Sequence, residues 1–139
     1  MKKFLIIVFL FISILLSLNF LPPKKEDFFK LTFNDREISV GYDEYLNISG
    51  IDHYAYDEKG KLSELVIYLN DVQEVYLNDV PLNNIEDVCT SFNGELKQNN
   101  TKACLIQKDV KGKVNYVILV NNILADDEDK IDRVEVYYK

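Results

Sequence analysis

The amino-acid sequence predicts an α+β domain: an antiparallel sheet with one or two short helices packed on one face, built from two similar units and preceded by one transmembrane helix. Three observations carry this reading. An uncharged, mostly apolar run, Phe4–Leu21, opens the chain behind Met1-Lys2-Lys3. Asn-Asp, Gly and Lys-Gly-Lys recur in the same order in two later stretches. Between them lie short alternating runs rich in Val, Ile, Leu and Tyr, which suit half-buried strands.

As a helix rising about 1.5 Å per residue, Phe4–Leu21 would cover roughly 27 Å, close to one hydrocarbon core. A secretory signal has a similar basic start, but a shorter apolar part that ends at small residues. Here only Ser17 and Asn19 offer a weak cleavage site. The segment 1–21 therefore reads as a transmembrane anchor or uncleaved signal, with a secreted product as the alternative if it is cut. Pro22 and Pro23 stop the helix, and Lys24 and Lys25 suit a headgroup layer. Residues 22–28 read as a linker and 29–139 as a single exported domain. Lys2 and Lys3 nearly balance Lys24 and Lys25, so Glu26, Asp27 and the short leading tail decide the orientation. The amino terminus is expected in the cytoplasm, with the domain in the periplasm or outside.

The chain has 139 residues with 16 basic and 23 acidic side chains, a formal charge of −7. Setting aside Lys2 and Lys3 leaves the exported part more acidic still. Such a balance argues against binding to a phosphate backbone, which needs clustered Lys and Arg, so no nucleic-acid partner is expected. It suits a cationic protein partner, or simple solubility. Cys89 and Cys104 are the only cysteines. In an oxidising compartment their bridge would contribute on the order of 3 kcal/mol on the chain-entropy account. Two separate buried thiols are the alternative.

The repeat units span about 29–72 and 73–121, followed by a C-terminal strand. Each begins with a small hairpin around an Asn-Asp turn, Asn34-Asp35 and Asn78-Asp79. A short helix is expected next, over Tyr42–Ser49 and Asn84–Phe92. In the second copy Ile85, Val88, Cys89 and Phe92 fall on one helical face, with Asn84 as N-cap and Gly94 as the stop. Two longer strands follow, Asp52–Asp57 with Leu62–Asn70, and Ala103–Lys108 with Lys113–Asn121. Leu65–Leu69 and Val117–Val120 are almost continuously apolar and read as central strands. The polar stretch from Gln98 to Thr101 reads as a longer loop. The last strand, Ile131–Tyr138, has no clear register.

On Asn-Asp, Gly and Lys-Gly-Lys at matching offsets over residues 31–121, the chain resembles small exported bacterial proteins built from tandem helix-plus-antiparallel-sheet repeats. The β-lactamase-inhibitor-protein-like and outer-membrane-assembly-lipoprotein-like domains are of this type. The resemblance implies an α+β repeat fold and a binding role, and it carries no functional residue over. Unlike many of those proteins, this chain has no lipid-attachment cysteine.

No constellation points to catalysis or a cofactor. Asp126, Asp127, Glu128 and Asp129 lack the alternate spacing and the Gly of a calcium loop, and read as a solvated acidic loop open to a partner. His53 has no nucleophile beside it in any recognisable motif and reads as a strand-surface residue. Two thiols and this lone His do not complete a zinc set. Lys59-Gly60-Lys61 and Lys111-Gly112-Lys113 lack P-loop spacing and read as hairpin turns. Asn47-Ile48-Ser49 and Asn99-Asn100-Thr101 match the glycosylation pattern, and in a bacterium are expected to be bare. Tyr137 and Tyr138 read either as interface anchors or as a cover for the sheet. The function expected is that of a membrane-anchored envelope protein whose acidic domain binds another protein, in an immunity or inhibitor role. A structural or assembly role is the alternative, and an enzyme is not expected.

Overall fold

The computed structural model describes residues 1–19, 21–69, 74–122 and 129–139, with backbone alone at 18 and 19. Helix α1 (Lys2–Asn19) starts at the two lysines and closes before Leu21. Its uncharged part, beginning at Phe4, is about 24 Å long at 1.5 Å per residue, against a hydrocarbon core of about 30 Å. No helix of the described residues is long and apolar enough to cross a membrane. This corrects the expected transmembrane helix and signal anchor over 1–21. The apolar run in the sequence counted Leu21, which lies beyond the helix, and Phe20, which lies outside the described residues.

Two antiparallel sheets follow, where the sequence suggested one. The smaller has the order β2-β1-β5-β6, from β1 (Lys30–Phe33), β2 (Arg36–Ser39), β5 (Val75–Leu77) and β6 (Val80–Pro81). The larger has the order β3-β4-β10-β9-β8-β7, from β3 (His53–Tyr56), β4 (Leu62–Tyr68), β7 (Glu95–Gln98), β8 (Lys102–Val110), β9 (Lys113–Asn121) and β10 (Arg133–Tyr138). The hairpin strands β1 and β5 pair with each other, Leu31 opposite Leu77 and Phe33 opposite Val75, and so close a sheet of their own. Their turns place Asn34, Asp35, Asn78 and Asp79 at φ of 49°, 61°, 46° and 65°, the paired left-handed residues of a type I′ turn.

Helix α2 (Ile85–Ser91) forms where the apolar spacing places it. The Asn84 side chain accepts from the backbone N–H groups of Glu86 and Asp87, and both acids complement the positive end of the helix. Tyr42–Ser49 is not helical. There Tyr42 and Asp43 donate their N–H groups to the Ser39 carbonyl, and the Asp43 carbonyl accepts from Leu62. These bonds tie the segment to the strands on either side. Strand β7, which the sequence reading did not assign, immediately precedes the polar stretch read as loop and shares only Gln98 with it; all four of its residues are exposed, so no apolar face marked it. Phe28, assigned to the linker, is buried against Tyr42 and Tyr138.

One core joins the layers. Its inward rows in the larger sheet are Ile67, Val134, Leu119 and Cys104, then Leu65, Val136, Val117 and Ile106, each residue beside the next across the ladder. Leu31, Phe33, Ile38 and Leu77 of the smaller sheet and Ile85 and Val88 of α2 complete the same cluster. Leu119→Ala is expected to lower the urea-denaturation stability by about 2–5 kcal/mol, through lost burial and a residual cavity. Val114→Ala, on a residue 40% exposed, should stay within about 0.5 kcal/mol. Equal effects at the two positions would contradict this placement of the core.

Candidate functional site: the outer face of the larger sheet

Side chains alternate across a strand, so burying one set commits the other to the opposite face. In the paired stretches of β4, β9 and β10 the buried apolar residues include Leu65, Ile67, Val117, Leu119, Val134 and Val136. Their neighbours form three rows on the outer face. Val66, Glu135, Ile118 and Leu105 make the middle row; Glu64, Tyr137, Tyr116 and Gln107 lie on one side of it; Tyr68, Arg133, Val120 and Ala103 lie on the other. The smaller sheet and α2 share the core of the inner face. The outer face keeps Val66, Ile118, Val120 and Leu105 partly in solvent.

Polar contacts hold this surface in shape. Glu135 takes Arg133 on one carboxylate oxygen, Nε to Oε1 2.7 Å, and accepts from the Tyr137 hydroxyl on the other at 2.7 Å. The Tyr137 ring stacks on Tyr116 with centroids 5.0 Å apart, and Arg133 lies over the Tyr68 ring. Burial, and then the hydrogen bond to Glu135, push the Tyr137 phenol well above the ordinary tyrosine range. At the edge, His53 Nε2 is 3.3 Å from Glu64 Oε2, a contact on the sheet surface. Strands β8 and β9 of nine residues each run about 30 Å, and six strands at about 4.8 Å give a similar width. That is the breadth of a standard interface of about 800 Å² per partner.

Tyr137 belongs to this face, whereas the Tyr138 ring packs edge-on against Phe28. Cys89 and Cys104 are joined in a disulfide that ties α2 to β8. Gly94 sits against it so closely that a Cβ there would meet Cys104 Sγ at 2.6 Å. Asp129 is drawn inward. Lys102 Nζ, on a nearly buried side chain, holds Asp129 Oδ1 at 2.5 Å and Glu86 Oε1 at 2.9 Å. Asp126, Asp127 and Glu128 lie outside the described residues. The Lys-Gly-Lys segments are turns with Gly60 and Gly112 at positive φ. Among the described residues no three His, Cys, Asp or Glu side chains gather as a metal set. A cleft of about 380 Å³ beside Lys25, Phe28, Lys30 and Ser39 is charged, but Lys30 is already engaged by Asp79 and Glu37. The buried Ser39 hydroxyl at its floor has no accessible surface to offer a ligand.

Sequence reasoning assigned the continuous apolar runs of β4 and β9 to central strands, and both lie inside the larger sheet. The outer residues of those runs were the signal for this surface. Compared with models of protein families, with characterised proteins and with solved structures, the chain matches none.

Among the groups that hold their protons more tightly in the fold than in the unfolded chain are Lys102, Tyr137 and Tyr138. Lys102 is raised by its hydrogen bonds to Asp129 and then Glu86. Tyr137 is raised by burial and Glu135, and Tyr138 by burial and then the charges of Asp57 and Asp109. For each, the stability contributed is complete below the unfolded value, near pH 10 for Tyr and about 10.4 for Lys, and is lost as pH rises through the folded one. The melting temperature should therefore fall above about pH 10, and less steeply in Tyr137→Phe. A melting temperature unchanged to about pH 12 would contradict the assignment.

Proposed function

We propose that this chain is an exported, acidic protein-binding module, of the immunity or inhibitor kind, whose partner docks on the outer face of the larger sheet. The observation that carries the proposal is the partly exposed apolar patch of Val66, Ile118, Val120 and Leu105 beside Tyr68, Tyr116 and Tyr137, which no described element packs over. A contiguous apolar surface rimmed by polar groups is a mark of an interaction site. Tyrosine offers large contact area at low conformational cost. The contacts among Arg133, Glu135 and Tyr137 fix those three side chains of the face before any partner arrives, which reduces the ordering cost of binding. The buried disulfide supports an oxidising compartment. The excess of acidic residues supports a partner with basic character at its rim.

A photo-crosslinking residue placed at Ile118, compared with one at the exposed helix position Asp87, tests the reading in cells producing the full chain. Position 118 should trap one reproducible partner, and position 87 should not. With that partner purified, Ile118→Arg should weaken binding by at least about thirtyfold, the size of a hot-spot loss. Retained affinity in a folded Ile118→Arg chain would rule out this face.

A further inference from the structure

We infer that Asn93 is a latent deamidation site that the Cys89–Cys104 bridge holds closed. Asn93-Gly94 is the one Asn-Gly pair in the chain. With no Cβ on the following residue, a backbone nitrogen can approach the Asn side chain closely. At this pair the Gly94 nitrogen would attack Asn93 Cγ. The new N–Cγ bond closes a five-membered succinimide, the bond from Cγ to the amide nitrogen breaks, and ammonia leaves with the proton lost from Gly94. Water then opens the ring at either carbonyl, leaving aspartate or isoaspartate. The reaction needs no oxidant or reductant.

In the fold the two reacting halves are treated differently. The Asn93 side chain is exposed, so water reaches it. The attacking nitrogen is held: Gly94 N–H donates to the Cys89 carbonyl at 2.8 Å, and Asn93 N–H donates to Thr90 at 3.1 Å. Asn93 itself sits at φ 51°, the left-handed residue that ends α2. Behind Gly94 stand Cys104 Sγ and Cys89 Sγ, 2.6 and 2.9 Å from where a Cβ would lie, and Ile106 Cγ1 at 3.1 Å. With its α-carbon packed against the bridge and its N–H bonded to the Cys89 carbonyl, Gly94 has little room to rearrange while the bridge is closed. Opening the bridge frees both sulfur atoms and lets the last turn of α2 fray. The product then keeps the turn open. Aspartate adds a negative charge at the helix C-terminus, where the dipole opposes it, and isoaspartate lengthens the backbone by one carbon. Loss of the bridge is thereby recorded as a permanent change at Asn93.

The test follows deamidation at Asn93 by peptide mass spectrometry in three forms of the full chain: bridged, reduced with dithiothreitol and alkylated, and carrying Cys89→Ala with Cys104→Ala. A synthetic peptide of residues 88–97, alkylated at its cysteine, sets the unconstrained rate. Hydrogen exchange in β9 and β10 is read in the same samples. The bridged chain should deamidate at least about tenfold more slowly than the peptide, and both unbridged forms within about threefold of it, while β9 and β10 stay protected. A bridged chain as fast as the peptide would overturn the inference, as would unbridged chains as slow as the bridged one. Acceleration confined to samples whose β9 and β10 exchange freely would also overturn it, because global unfolding and not the bridge would then govern the site.

Discussion

The last strand of the chain, β10, lies at the centre of the larger sheet, paired with β4 on one side and β9 on the other. Everything else depends on that insertion. Val134 and Val136 face inward, each between two apolar neighbours, and so join the strands of the two halves into one core. Arg133, Glu135 and Tyr137 face outward and organise the outer surface. One strand of six residues thus supplies both the hydrophobic bond between halves and the polar frame of the candidate interface. The alternation of side chains makes the two roles inseparable, since a slip of one residue would exchange them.

Helix α2 is fixed to this sheet by two clamps from the same side of β8. Cys104 holds it covalently through Cys89, and Lys102 holds it through Glu86. Asp129 joins the second clamp and so draws the chain leading into β10 towards the helix. Ile85 N–H donates to the Asp129 carbonyl at the same place. The covalent clamp lies inside the core, and the ionic one lies at its margin, where solvent screens the Glu86 and Asp129 carboxylates. Mutual packing and the bridge therefore carry most of the rigidity, with the ion pairs setting position.

Much of this was legible locally. The Asn-Asp turns, the Asn84 cap, the face of Ile85, Val88 and Cys89, and the apolar runs in β4 and β9 all act over a few residues, and each left a pattern. What escaped depends on distant partners. The split into two sheets follows from Leu31 meeting Leu77. The irregular path of Tyr42–Ser49 follows from bonds to Ser39 and Leu62. Strand β7 is an edge whose side chains carry no burial signal. The candidate surface was partly visible: Val66, Ile118 and Val120 belong to the continuous apolar runs, and only the tertiary structure shows that, among the described residues, the core cluster lies on the other face. Lys102 gave no sign at all, because a lysine becomes a clamp only when two carboxylates from elsewhere converge on it. Likewise α1 matched an anchor in composition, while its helical limits at Lys2 and Asn19 decided its length.

The account rests on one asymmetry of the larger sheet, covered within and open without. Hydroxyl-radical footprinting of the isolated full-length chain measures it side chain by side chain. Tyr68, Leu105 and Ile118 should be modified at rates typical of solvent-accessible groups, with Leu65, Ile67 and Leu119 protected. Equal protection of Leu105 and Ile118 would mean that the outer face is covered within the chain itself, and the face could not then be the surface that receives a partner.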